Sequence, residues 1–128
     1  MILDASALVS IILKEEEHES LLQRAERAEI TFVGTPTAME AAMVLSARLR
    51  CDARPLIAGL LYRLRTEFVD FNQTHYEAAV SAFLRFGKGR HPAALNFGDC
   101  MSYATSRMSG MPLLYSGKDF SRTDVRSA

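Results

Sequence analysis

The apolar residues of this chain form short runs that alternate with helical stripes. Short runs of β-branched, aromatic and leucine residues predict strands at residues 1–3, 30–33, 68–71 and 111–115. Between them, apolar residues spaced three or four apart predict six helices: residues 5–13, about 21–28, 37–49, one beginning at 52–55, 74–86 and 99–109. Strands that alternate with helices are typical of an α/β fold with a mostly parallel sheet covered by helices.

Two helix starts carry recognisable capping residues. Thr35 is expected to cap the third helix, with Pro36 at its first position. Thr74 and Glu77 match a capping box at the start of the fifth helix. His75 lies inside that box, and we expect it at the surface because it has no spaced partner for metal binding.

Length and composition predict one globular domain over residues 1–128, with 48% hydrophobic and 23% charged residues. Fifteen basic residues balance fifteen acidic ones, so affinity for a nucleic acid would have to come from local clusters. Residues 14–19, of sequence KEEEHE, are expected to form a solvated helix start or connection; the alternative, cation binding by Glu15 to Glu17, is disfavoured because adjacent residues of a helix do not face one another. The polar residues 121–128 are expected to end the fold loosely.

Cysteine usage and hydropathy point to a cytoplasmic protein. Cys51 and Cys100 lie in helical, apolar contexts without metal-binding spacing, which favours reduced thiols. The chain opens without a basic segment before an apolar one, so no signal peptide is expected. No apolar run reaches the roughly 20 residues that cross a bilayer.

Four carboxylates occupy positions that suggest chemistry. Asp4 and Asp119 each follow a predicted strand, and Asp99 begins a helix after a glycine turn, where the helix dipole favours its ionised form. Glu40 is the single charge inside the third helix. Taken alone, Asp4 could simply be a helix cap.

Glu40 shares a helical face with Met43, Val44 and Ala47. A carboxylate on such an apolar face is costly unless something pairs with it. The alternative is that Thr37 and Glu40 form a capping box. Thr35 with Pro36 is the better cap, and it would leave Glu40 well inside the helix.

The carboxyl ends of parallel strands meet at one edge of a sheet, where α/β folds bind ligands, so these four acids can converge there. Converging carboxylates raise one another's pKa unless a cation lies among them. An all-oxygen ligand set suits Mg²⁺ or Mn²⁺. Such an ion can activate water as a nucleophile and can stabilise the charge of a phosphodiester displacement.

One basic stretch, residues 87–92, precedes the Asp99 segment. Lys88, Arg90 and His91 could contact the phosphate backbone of a nucleic acid, or the stretch could be a solvated loop. Lys118 beside Asp119 leaves the same two interpretations open.

Several segments together resemble the PIN-domain ribonucleases, and most closely the VapC toxins of bacterial type II toxin–antitoxin systems. They are residues 1–8 (MILDASAL), Glu40 in its helix, residues 96–104 (NFGDCMSYA) and residues 113–124 (LLYSGKDFSRTD). The resemblance implies a PIN-like three-layer α/β/α sandwich and an Mg²⁺- or Mn²⁺-dependent endoribonuclease. It also implies a homodimer that a VapB-type antitoxin neutralises.

The resemblance also assigns site residues. Asp4, Glu40, Asp99 and Asp119 match the acidic quartet of the family, and Ser6 matches the small hydroxyl residue beside the metal. Asp124 also matches the terminal motif, either as a ligand or, as we favour, as a residue that braces the last turn.

Two other functions remain to be weighed. A receiver-type signalling domain also gathers acids at a parallel sheet edge and uses a lysine such as Lys118, but it gives no account of Glu40. A PIN fold that binds RNA without cleaving it is the second alternative.

Overall fold

A four-stranded parallel sheet lies at the centre of the protein in the computed structural model, which describes residues 1–128. The strands follow the order β3-β2-β1-β4. Their bounds are β1 Ile2–Leu3, β2 Thr31–Gly34, β3 Thr66–Val69 and β4 Leu113–Leu114. The predicted α/β fold with a parallel sheet is confirmed.

Six helices connect and cover the strands. Their bounds are α1 Ala5–Leu13, α2 His18–Arg27, α3 Thr35–Leu49, α4 Arg54–Arg63, α5 Gln73–Phe86 and α6 Phe97–Ser109, and a 3₁₀ turn spans Phe120–Arg122. None of these helices combines the length and the apolar character needed to span a bilayer.

The central strands divide the core into two halves. Ile2 pairs with Leu113 and Leu3 with Leu114 in the parallel register. Successive side chains of a strand point to opposite faces, so the two pairs lie in different apolar clusters, one on each face of the sheet. Leu3 and Leu114 pack with α1–α4, whereas Ile2 and Leu113 pack with residues of α5 and α6. The result is the three-layer α/β/α arrangement.

The start of α5 differs from the prediction. Asn72, not Thr74, is the N-cap, and its side chain accepts hydrogen bonds from the backbone N–H groups of Thr74 and His75. The His75 side chain completes the box by facing the backbone of Asn72, and it is 8% exposed. The predicted surface position of His75 is therefore wrong. Its ring also packs against Phe71.

The third helix begins one residue from the predicted cap. Gly34 is its N-cap and Thr35 its first residue, so no side chain caps this end and the predicted Thr35 cap is wrong. The Thr37 hydroxyl instead pairs with the hydroxyl of Ser102 on α6 at 3.0 Å. The alternative capping box of Thr37 with Glu40 is thereby absent.

The carboxy-terminal segment is attached to the sheet, which corrects the predicted loose end. The Leu113 N–H donates to the Arg126 carbonyl, and the Ala128 N–H donates to the Leu113 carbonyl. The Tyr103 hydroxyl on α6 donates to the Asp124 carboxylate at 2.6 Å. These bonds fix the segment against β4 and α6.

Candidate active site

Asp4 lies at the carboxyl end of β1 and is the N-cap of α1. Its Oδ2 accepts hydrogen bonds from the Ser6 N–H at 2.9 Å and the Ser6 hydroxyl at 2.5 Å. The residue is 3% exposed. Both bonds use the same oxygen, so the cap fixes the side chain and leaves Oδ1 available to a ligand.

Ser6 links two chain segments of the site. While its hydroxyl donates to Asp4, the same oxygen accepts a 3.0 Å hydrogen bond from the Ser116 N–H. Ser116 belongs to the loop that follows β4 and carries Asp119. The Ser116 hydroxyl also donates to Glu17 at 3.0 Å. Ser6 therefore holds the Asp119 loop next to Asp4.

Asp99 occupies the first turn of α6 within a reciprocal capping box. Asn96 is the N-cap: its side chain accepts from the Asp99 N–H, and its own N–H donates to Asp99 Oδ2, both at 2.9 Å. Burial raises the pKa of Asp99 to about 6, the Asn96 hydrogen bond opposes that rise, and the Asp4 and Asp119 charges add to it. Asp99 also keeps one carboxylate oxygen free.

Glu40 projects from α3 toward the start of α6. No hydrogen bond reaches its carboxylate, and burial, followed by the charges of Asp4 and Asp99, raises its pKa to about 7. A Cβ atom at Gly98 would overlap the Glu40 carboxylate. The absence of a side chain at Gly98 therefore makes the room that Glu40 occupies.

The face of α3 around Glu40 is more open than the sequence predicts. Met43 is 64% exposed, and Ala47 is exposed as well. The buried stripe of the helix is formed instead by Thr37, Ala38, Ala41 and Leu45. Glu40 thus lies at the edge of the core, where an ion can reach it.

Asp119 reaches the site through a loop. The prediction places Asp119 directly after the last strand. The strand instead ends at Leu114, five residues before Asp119. Gly117 adopts a left-handed conformation with φ of 86°, and the neighbouring Ser116 N–H bonds to Ser6 at the start of α1. Asp119 is exposed and precedes the 3₁₀ turn.

The four acids line one open cavity of about 300 Å³. Each of the shifted pKa values has neighbouring carboxylates among its causes, so the charges are close enough to repel. No three of them lie together as a finished ligand set. The oxygen-only donors, the unbonded carboxylate oxygens and the mutual repulsion nevertheless fit a hard divalent cation such as Mg²⁺ or Mn²⁺. Ser6 lines the same cavity.

The basic candidates lie elsewhere. Lys88 and Arg90 are exposed between α5 and α6 and do not line the cavity, and the Arg90 guanidinium lies over the Phe83 ring. His91 accepts from the Ala93 N–H and packs edge-on against Phe86, which gives it a structural role. Lys118 is exposed between Gly117 and Asp119, but it does not itself line the cavity.

Asp124 lies outside the cavity. Burial acts to raise its pKa, but the Tyr103 hydrogen bond and the charges of Arg85 and Arg107 outweigh burial and lower it. The bracing role that we favoured for Asp124 agrees with these contacts.

Glu15 and Arg48 also line the cavity, and this position is predicted for neither residue. Glu15 belongs to the acidic run that was expected to be a solvated connection. Arg48 follows Glu40 and Val44 at four-residue intervals, which is the one signal that could have placed it on the same face of α3.

Comparison with known proteins agrees with this geometry. The PIN domain family matches residues 1–126. The VapC ribonuclease Mb2004c of Mycobacterium bovis is 42% identical over 126 residues, which cover 98% of this chain and 91% of that protein. Ribonuclease VapC30 of Mycobacterium tuberculosis is 36% identical over 125 residues, covering 98% and 95% of the two chains.

Two solved structures share the fold. VapC20 of Mycobacterium tuberculosis, a toxin that cleaves the sarcin–ricin loop, has a TM-score of 0.76 at 17% identity over 99% of this chain and 97% of its own. A chain of a toxin–antitoxin complex from Klebsiella pneumoniae has a TM-score of 0.70 at 18% identity over 96% and 92%. The match over nearly the whole chain, together with the relatives above 30% identity, shows that this chain belongs to the PIN-domain family, among the VapC ribonucleases.

Proposed function

We propose that this protein is the toxin of a toxin–antitoxin pair and acts as an Mg²⁺- or Mn²⁺-dependent endoribonuclease. The observation that carries the proposal is the convergence of Asp4, Glu40, Asp99 and Asp119 on one cavity, with their charges repelling and several oxygens unbonded. An arrangement that costs the metal-free fold free energy needs a compensating ligand, and a divalent cation supplies it.

Asp4, Asp99 and Asp119 would hold the ion, and Glu40 would hold it directly or through a water molecule. When bound, the ion would supply an activated water and stabilise charge on the phosphodiester. The protein orients the ligands: Ser6 fixes Asp4, and Asn96 fixes Asp99. Glu40 has neither kind of brace, and only its packing beside Gly98 restrains it.

Protein partners follow from the family and from the surface. We propose neutralisation by a VapB-type antitoxin, formation of a homodimer, and action on RNA in the cytoplasm. In support, large apolar side chains are exposed along α3, α4 and β3, including Met39 at 58%, Tyr62 at 89% and Phe68 at 58%. Exposed apolar patches of this kind are typical of protein interaction surfaces. Light scattering at several concentrations would establish the oligomeric state.

The test of enzymatic activity compares an aspartate inside the cavity with one outside it. Asp99→Asn should keep the fold but lose Mn²⁺-dependent RNA cleavage and growth arrest on expression. Asp70→Asn is the matched control, because Asp70 also follows a parallel strand yet is exposed outside the cavity. Sequencing the cut ends should show 5′-phosphates. Full cleavage by Asp99→Asn would overturn the proposal, and RNA binding without any cleavage by the unaltered protein would favour a non-catalytic PIN fold.

A further inference from the structure

The acidic cavity continues as a groove between α1 and α3. Ser6 and Val9 line it from α1, and Glu40, Val44 and Arg48 line it from α3. The three α3 residues are spaced four apart, so they lie on one side of the helix. The groove therefore has an acidic end at Asp4 and Glu40, an apolar floor, and one cation at its far end.

Arg48 is the only basic residue that lines this groove. It lies two helical turns beyond Glu40, which is about 12 Å along the axis of α3. This placement is too far for the phosphate held at the acidic end but suits a neighbouring phosphate on the same strand.

An acidic partner holds Arg48 in place. Arg48 Nη1 lies 2.9 Å from Glu15 Oε1, and the two side chains are 55% and 43% exposed. A half-exposed ion pair of this kind contributes little to folding. It can be exchanged for a phosphate at low cost, and it keeps the guanidinium over the groove until RNA arrives.

We infer that Arg48 contacts a backbone phosphate of the RNA strand next to the cleaved position, and that Glu15 competes with this phosphate for the guanidinium. The inference rests on the proposed nuclease function, since the acidic end is assigned to the cleaved phosphodiester. Arg48 is thus a substrate-binding residue and Glu15 its intramolecular competitor. RNA binding should strengthen when Glu15 is neutralised and weaken when Arg48 is neutralised.

The two variants should change the Kd for RNA in opposite directions, which separates a substrate-binding role from a structural one. If the ion pair only stabilised the fold, Glu15→Gln and Arg48→Gln would act alike. As a substrate contact, Arg48→Gln should raise the Kd for RNA and reduce the slope of log Kd against log salt concentration by about 0.7, the value for one phosphate of a single strand. Glu15→Gln should lower the Kd by about threefold, in line with an exposed ion pair.

The experiment measures fluorescence anisotropy of a labelled, mixed-sequence 12-nucleotide RNA in Mg²⁺, with all variants built on Asp99→Asn to prevent cleavage. Arg63→Gln is the matched control. Arg63 pairs with Glu26 at 2.8 Å, with side chains 59% and 40% exposed, but it lies outside the groove. Arg48→Lys should keep the salt slope, which covers the case in which Arg48→Gln fails to fold.

The outcomes are distinct. The inference is overturned if Arg48→Gln and Arg63→Gln give the same salt slope, or if the Glu15 and Arg48 variants change Kd in the same direction. In either case, cleavage by the unaltered protein would still stand. If the unaltered protein neither binds nor cleaves RNA, the proposed function fails and the role of Arg48 fails with it.

Discussion

Replacing Glu40 by glutamine should stabilise the metal-free protein while it abolishes RNA cleavage. Burial and the charges of Asp4 and Asp99 raise the pKa of Glu40 from 4.5 to about 7, and no hydrogen bond reaches its carboxylate. Ionising Glu40 in the folded protein therefore costs free energy. Glutamine has nearly the same shape and avoids that cost, but it is a poor ligand for Mg²⁺.

The pKa sets the size of the effect. Each tenfold change in proton affinity corresponds to about 1.4 kcal/mol, so a rise of this size would amount to about 3 kcal/mol without screening. Glu40 is partly exposed, and solvent reduces the effect to about 1–2 kcal/mol in the free energy of unfolding. For a domain of this length, the melting temperature should rise by roughly 3–8 °C.

The gain should depend on pH in one direction. A carboxyl group whose pKa is higher in the folded state destabilises the fold as the pH rises above its unfolded value, and the full cost is reached above the folded value. The advantage of Glu40→Gln should therefore be small below pH 4.5, grow up to about pH 7, and stay constant above that.

Thermal unfolding followed by circular dichroism in EDTA, at one pH below 4.5 and one above 7, measures this difference. Glu29→Gln is the control, because Glu29 is exposed between α2 and β2. Adding Mn²⁺ should stabilise the unaltered protein more than Glu40→Gln. Binding to the folded state raises its stability, and the variant should bind the ion more weakly. The reasoning is refuted if the variant is no more stable at high pH, or if its advantage is equal at both pH values.

Three further predictions concern the same cavity. Ser6→Ala removes the hydroxyl that donates to Asp4, and it should lower Mn²⁺ affinity by about tenfold or more in a calorimetric titration; unchanged affinity would contradict it. Gly98→Ala places a methyl group against the Glu40 carboxylate and should slow cleavage by about 100-fold, whereas Gly59→Ala, with nothing within 4 Å of the added atom, should cleave normally. At low Mg²⁺, cleavage should fall as the pH drops below about 7, because protonated Glu40 is a poor ligand for the ion. Saturating Mg²⁺ should move this fall to lower pH.

The convergence of the four acids can be predicted from the sequence because it follows largely from the parallel arrangement of the strands. Parallel strands bring their carboxyl ends to one edge of the sheet. The position of Asp4 therefore depends only on β1, and the position of Asp99 depends on the capping box of α6. Asp119 depends on more, since the left-handed turn at Gly117 and the Ser6 to Ser116 hydrogen bond return its loop to the site. Those features depend on tertiary contacts that no local pattern encodes.

The misplaced residues share a physical cause. His75 was expected at the surface, but Asn72 outcompetes Thr74 as the cap and turns the ring inward. Arg48 and Glu15 were missed because their pairing depends on how α1 packs against α3. In each case, the outcome follows from which of several polar partners a side chain meets after packing, and periodicity does not decide that choice.

The four acids differ in how firmly the fold holds them, and the difference indicates how the proposed site would bind an ion that its side chains do not yet surround. Asp4 and Asp99 each commit one oxygen to a cap and are fixed before binding. Glu40 has no such bond, and Asp119 is exposed on its loop. An ion would therefore meet two rigid ligands and draw in two adjustable ones. Until then Asp4 and Asp99 repel Glu40, and Asp99 and Asp119 repel each other, so the absence of a finished ligand set is the expected state of the metal-free site.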